Sequence, residues 1–298
     1  MHHGILGAGG VGGLIGAVLA HAGDTVTLIV RPQTRAQQPR ELSLESRFGN
    51  FTVPVSVAAG VDQPLDVLWV TVKATQLDGA LESVPTAAGI GAVVPLLNGV
   101  DHVALLRRRF GHDGVVPATI AVESERIAPG KIVHRSPFVR LNVAAGGRTR
   151  LETAVEHCRR FGFDCKFVDD ESTLLWSKLV FLAPIALSCT AAGGAIGIVV
   201  ADPARKQKLE AAVREACAVA AACGASVAAD PVIAGITGLP PGMRASMQKD
   251  VEAGRAPELD AIAGPILRGA QAHGLPVPAT QELVAAVRQR MAARRGEP

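Results

Sequence analysis

At 298 residues the chain is long enough for two domains of ordinary size, and at 48% hydrophobic with 32 glycines and 19 prolines it has the composition of a globular α/β protein. A formal net charge of only +3, spread along the chain, with 3% aromatic residues and no tyrosine, excludes a nucleic-acid-binding surface of basic and stacking groups. Five cysteines without a C-x-x-C pair, and histidines without metal-ligand spacing, exclude a disulfide frame and a zinc site; they fit a reducing, cytoplasmic location.

The first residues, "HGIL", read as a strand that runs into Gly7-Ala8-Gly9-Gly10-Val11-Gly12. A helical pattern through Leu14, Ile15, Val18 and Leu19 follows, closed by Gly23. A G-x-G-x-x-G that follows a strand and opens a helix is the setting of a dinucleotide-binding loop. Gly7 makes the tight turn, Gly9 lets the backbone approach a diphosphate, and Gly12 lets helix and strand pack closely. No basic segment precedes this stretch, so it reads as that loop rather than as a signal peptide.

Three further strands follow: "TVTLIV" before Arg31, "DVLWVTV" before Lys73 and "AVVPLL" before Asn98-Gly99. Each is short, apolar and rich in β-branched residues, as buried parallel strands of βαβ units are. Ligands bind at the carboxyl ends of such strands. Arg31, with Arg35 beyond it, stands where an NAD enzyme carries an acidic residue, and a guanidinium there suits the 2′-phosphate of NADP(H). The plain alternatives are a solvated arginine, a polar strand cap at Lys73 and a turn at Asn98-Gly99.

"VVPATIAVESERI" and "IVHRSPFVRLNVAAG", joined by a turn at "APGK", read as antiparallel strands extending the sheet. The helix "RLETAVEHCRRFG" and the strand "CKFVDD" complete the first domain. From Ser172 helical patterns dominate: 173–192, 203–223, about 243–253, 258–273 and 279–294. The expected architecture is a Rossmann-type dinucleotide-binding domain over 1–170 and an all-α domain over 171–298. The tail "RQRMAARRGEP" reads as a solvated helix end.

From Leu174 to Val200 the chain is almost wholly apolar, and Lys178 is its one charged residue. The stretch is long enough to cross a bilayer. Pro184, Gly193-Gly194 and the lack of a basic flank instead favour a buried core helix, with no membrane partner. Lys178 is then either a lysine snorkelling to water or the proton donor of a site.

Taken together, the chain resembles the ketopantoate reductase (2-dehydropantoate 2-reductase) family along nearly its full length. The resemblance is carried in order by "GILGAGGVGG", Arg31, "VTVKATQ", "LLNGVDH", "APGKIVH", "LLWSKL", "RASMQKDVEAGRAPELD" and "GLPVPAT". It implies NADPH-dependent reduction of a 2-oxo acid to a 2-hydroxy acid, ketopantoate to pantoate in pantothenate biosynthesis, in a cleft between two domains. The implied roles are proton donation by Lys178, ordering of that lysine by Glu258, and substrate contacts from Asn98 and Ser246. Lys73 is implied near the nicotinamide ribose, Asn98 is also implied as a cofactor contact, and the implied state is a monomer or homodimer. Ser246 could also cap a helix, and Glu258, after Pro257, could occupy a helix first turn. His102, the alternative proton donor, is expected in solvent.

The chain departs from the family where asparagines are usual: these positions are Leu182 and Ala186, on the Lys178 face of the helix, and Ala263. Without those amides the pocket wall is drier and a hydroxylated acid loses hydrogen-bond partners, so a paralogous reductase of a different, more apolar 2-oxo acid is a second reading. A catalytically silent NADP(H)-binding sensor is a third.

Overall fold

The computed structural model describes residues 1–86 and 88–295. The chain divides into two compact units, one formed by Met1–Leu97 with His102–Leu174, the other by Asn98–Asp101 with Leu175 onward.

The first unit begins with β1 (His2–Leu6), α1 (Gly10–His21), β2 (Thr25–Ile29), β3 (Glu41–Ser46), β4 (Phe51–Pro54), β5 (Ser56–Ala58) and β6 (Leu65–Val70). Then come α2 (Leu77–Leu81), β7 (Ile90–Pro95), α3 (Asp101–Phe110, from His102), β8 (Ala118–Ala121), β9 (Ser124–Ala128), β10 (Lys131–His134), β11 (Arg140–Ala144), α4 (Arg148–Phe161) and β12 (Asp164–Val168). The main sheet has the order β5-β2-β1-β6-β7, with every pair parallel. This is a Rossmann-type sheet, and its reversal of strand order at β1 puts the glycine loop at the switch point.

The later strands do not simply extend that sheet as antiparallel neighbours. They form β4-β3-β10-β9, in which β10 runs parallel to β3, and β12-β11-β8, in which β12 runs parallel to β11. A single bridge from Val93 to Val115 links β7 toward β8. The second sheet has a clear job: it covers the face of α1 turned away from the first. Gly12 to Leu19 are therefore all buried, and a Cβ on Gly13 would lie 2.3 Å from Ile132 of β10. That double cover explains why α1 lacks a polar stripe.

A polar seam crosses this core. Asp24 receives the α-amino group of Met1 at 2.9 Å and pairs with His157 Nδ1 at 2.7 Å and His3 Nε2 at 3.2 Å. Trp69 Nε1 donates to the other ring nitrogen of His3 at 3.4 Å. Burial pushes the fully enclosed His3 down to about 4.

The second unit contains α5 (Glu171–Ala192, from Leu175), α6 (Ile196–Ala201), α7 (Pro203–Ala222), α8 (Ala229–Thr237), α9 (Ser246–Glu252), α10 (Leu259–His273) and α11 (Pro278–Arg295). The short helices α6 and α8 go beyond the sequence reading; Gly197 and the Asp230-Pro231 step look like turns in isolation. Residues 296–298 of the expected solvated tail lie outside the described residues.

Leu179, Val180, Ala183, Ala186, Leu187 and Cys189 of α5 lie in the centre of the helical core. By length and apolarity alone α5 could cross a membrane, but 67% of its most apolar window is buried within the protein. Pro184 removes one internal hydrogen bond donor from it. Its end is fixed from α11, where Arg290 donates to Ala191 O at 2.9 Å and Ala192 O at 3.0 Å.

Candidate active site

The loop after β1 in the first unit rejects side chains for distinct reasons. Gly7 lies at φ +103°, and a Cβ there would come within 2.7 Å of Val72 Cγ1. At Gly12 a Cβ would stand 2.3 Å from both Gly7 O and Thr71 Oγ1, so α1 begins tight against the end of β1. Gly10 abuts Ser124 O, only 2.1 Å from its missing Cβ. Gly9, by contrast, has nothing within 4 Å.

Gly9 is the residue before α1, so this open space adjoins a helix amino terminus. The first N–H groups of α1, on Gly10, Val11 and Gly12, have no acceptor within the helix. Room for close approach, backbone donors and the positive helix end together fit the diphosphate of a dinucleotide. Two residues missed in the sequence support the loop. Thr71 Oγ1 donates to Gly7 O at 2.8 Å and Leu6 O at 3.1 Å, and Ser124 Oγ donates to Gly10 O at 2.9 Å. Thr71 is the one polar residue near the end of a predicted strand and was findable. Ser124 arrives from β9, and no local pattern announces it.

Arg31 and Lys73 stand two and three residues beyond β2 and β6, because each strand ends earlier than its apolar run. Both have extended backbone and open a short 3₁₀ turn, Pro32–Gln37 and Ala74–Gln76 respectively. Thr34 bonds the Arg31 carbonyl through its N–H at 2.9 Å and its hydroxyl at 3.0 Å. The backbone is thereby fixed while the Arg31 and Arg35 side chains stay exposed. Lys73 is half-buried.

Four of the expected residues, Asn98, Lys178, Ser246 and Glu258, belong to the second unit. Glu258 stands one residue before the helical turn expected for it, at the N-cap of α10, with φ −82° and ψ 45°. Its side chain does not cap the helix. Instead its carboxylate accepts from Asn98 Nδ2 at 3.1 Å. Lys178, half-buried on α5, has its pKa lowered to about 8 by burial, with the charge of Glu258 acting in the opposite direction. An ammonium so placed still holds its proton near neutrality and gives it up readily. Ser246 is the first residue of α9 and exposed; Ala245, not Ser246, is the N-cap.

His102 departs from expectation. It is buried, 6% exposed, in the first unit, on the inward face of α3 with Val103 and Leu106. Cys158, Cys165, Cys189 and Cys217 are also buried, and burial pushes Cys165 up to about 12 and Cys189 to about 11. Such thiols are poor nucleophiles.

A family profile described as "Ketopantoate reductase PanE/ApbA" matches residues 3–146, and the profile of its C-terminal part matches 172–291. The chain belongs to the ketopantoate reductase family. A 2-dehydropantoate 2-reductase of Caulobacter vibrioides is 32% identical to it, covering 94% of this chain and 96% of the relative. The crystal structure of a PanE/ApbA family ketopantoate reductase from Ralstonia eutropha superposes with a TM-score of 0.86 at 26% identity, covering 99% of this chain and all of that one. A dimeric ketopantoate reductase from Staphylococcus aureus shares the fold, with a TM-score of 0.78 at 18% identity over 99% of this chain and 100% of that one.

Within this ketopantoate reductase family member, the stretch "RASMQKDVEAGRAPELD" divides into two kinds of residue. Asp250 accepts from Arg255 Nε at 2.8 Å, its carbonyl accepts from Arg255 N, and Gly254 takes φ +68°. Those residues shape the turn between α9 and α10. Glu258 and Ser246 flank that turn and carry the polar groups. Leu182, half-buried, and Ala186 and Ala263, both buried, leave apolar surface at the positions where the family's asparagines are expected.

Proposed function

We propose that the protein reduces a 2-oxo acid with NADPH, converting ketopantoate to pantoate. The single observation that supports this most directly is Lys178: an ammonium held in an apolar helix near its point of proton release, beside a carboxylate fixed by Asn98. In this reading residues 1–170 hold NADP(H), through Gly7, Gly9, Gly10, Val11, Gly12, Arg31 and Lys73. Residues 171–298 supply Lys178, Glu258 and Ser246, and Asn98 acts with them.

When bound, the dihydronicotinamide supplies the hydride that attacks the ketone carbon. Lys178 donates a hydrogen bond to the ketone oxygen and stabilises the negative charge that grows there. Its proton then passes to that oxygen, giving the hydroxyl, and Lys178 recovers a proton from water. General acid assistance of this kind contributes about 10²–10⁴-fold. Glu258 keeps Lys178 protonated at working pH, and Asn98 fixes the carboxylate that does so. Asn98 and Ser246 also contact the substrate. The enzyme acts in the cytoplasm as a monomer or homodimer, with neither nucleic acid nor membrane as a partner.

Leu182 and Ala186 support a second reading, a reductase of a more apolar 2-oxo acid. The decisive assay follows NADPH consumption with ketopantoate and a panel of 2-oxo acids with aliphatic and aromatic side chains, beside Lys178→Ala. Preferential turnover of ketopantoate, lost in Lys178→Ala, is expected. Turnover of an apolar acid alone transfers the proposal to the second reading. NADPH binding without turnover of any acid would leave a sensor.

A further inference from the structure

The segment Asn98–Asp101 is pinned to α10 at three points within the second unit. Asn98 donates to Glu258 at 3.1 Å. Gly99 lies at φ +86°, and a Cβ on it would stand 2.2 Å from Ala261 O, so backbone lies against backbone. Asp101 Oδ2 accepts from Arg268 Nη2 at 2.5 Å. Arg268 folds its guanidinium back over Gly264, where a Cβ would lie 2.4 Å from Nη2, and its Nη1 donates to Asp260 at 2.9 Å. One planar fork thus joins two carboxylates from different segments, which a lysine cannot do with comparable geometry.

We propose that Arg268, acting through Asp101, is a positioning residue of the reductase: it fixes the Asn98–Asp101 segment on α10 and so lets Asn98 hold Glu258 where its charge reaches Lys178. This rests on the reading of Lys178 and Glu258 as catalytic groups. The side chains of Arg268 and Asp101 are half-exposed, 50% and 54%, so their ion pair adds little to stability. Its value is geometric. Small displacements of a positioned group lower turnover far more than they lower stability.

The test compares Arg268→Met, Asp101→Asn and the double variant with Asp260→Asn, which removes the other partner of Arg268 and leaves the segment tied. Each single variant is expected to lower kcat about three- to tenfold, with the KM for NADPH unchanged. The double variant should be no worse than either single one, since both remove the same link. The alkaline limb of the pH–rate profile should move to lower pH in all three, because a displaced Glu258 supports the lysine proton less. Asp260→Asn should stay within about twofold.

A wild-type kcat and pH profile in Arg268→Met, or losses that multiply in the double variant, would overturn the proposal. If Arg268→Met does not fold, Asp101→Asn alone carries the same comparison. Lys178→Ala, assayed alongside, separates the two levels. Turnover retained there sinks the underlying reading, whereas turnover lost there with Arg268→Met unaffected removes only the positioning role.

Discussion

The side-chain amide of Asn98 donates to the carboxylate of Glu258 at 3.1 Å, joining residues 160 apart in the sequence. This bond costs Asn98 one of its two donor hydrogens and leaves its carbonyl oxygen for other partners. It also makes the two residues one functional group. Asn98→Ala and Glu258→Gln should each reduce kcat by at least about tenfold, and the double variant should add little to either. Steady-state kinetics on the three proteins provide the check.

Reduction requires the protonated form of Lys178, and its pKa lies at about 8. The rate of reduction should therefore be level below that value and fall above it. Glu258 raises this pKa, so in Glu258→Gln the fall should begin at lower pH. A pH profile of kcat/KM for the 2-oxo acid reads both effects.

The glycine loop makes two opposed predictions. Gly12→Ala forces a methyl against Gly7 O and Thr71 Oγ1 and should destabilise the fold by about 1–3 kcal/mol with no ligand present. Gly9→Ala meets nothing within 4 Å and should melt like the parent protein, yet bind NADPH at least about tenfold more weakly. Thermal melts with and without NADPH separate the two.

Arg31 is exposed and its backbone is held by Thr34. Its removal should leave the fold intact. Arg31→Ala is expected to raise the KM for NADPH about ten- to a hundredfold, the worth of a charge-assisted contact, while leaving that for NADH nearly unchanged.

The seam around Asp24 sets a lower pH limit for the first unit. His3 titrates at about 4 when folded and 6.5 when unfolded, so the unfolded chain binds the extra proton between those values. Stability from this group is complete above about pH 6.5 and is lost as pH falls toward 4, to a ceiling of about 3 kcal/mol. Asp24, whose pKa is lowered by the Met1 ammonium and His157 despite its burial, loses its share at still lower pH, in the same direction. Thermal melts from pH 4 to 7 should show a slope in the parent protein that flattens in His3→Phe.

Sequence periodicity made β1, β2, β6 and β7 legible, because each is a short β-branched run closed by polar residues. The second sheet was not legible. The pairing of β10 with β3 joins segments some ninety residues apart, and neither strand carries a mark of its partner. Lys178 was visible for the opposite reason, as one charge in an apolar run. Its setting was not: Asn98 on Glu258 and Asp101 on Arg268 are long-range contacts that local pattern cannot encode. His102 failed because a lone polar residue at a helix start looks solvated until its neighbours Val103 and Leu106 turn it inward.

The apolarity of α5 has a consequence for the newborn chain. Before its partners exist, a helix of this length and apolarity meets the same test of length and composition as a membrane span. A lysine in the first half of such a segment makes transfer into lipid less favourable. Lys178 is thus also the charge that keeps this segment from being apolar throughout. Replacing it with an apolar residue changes the candidate acid and the apolarity of the segment at once, so the yield of such a variant is to be read separately from its activity.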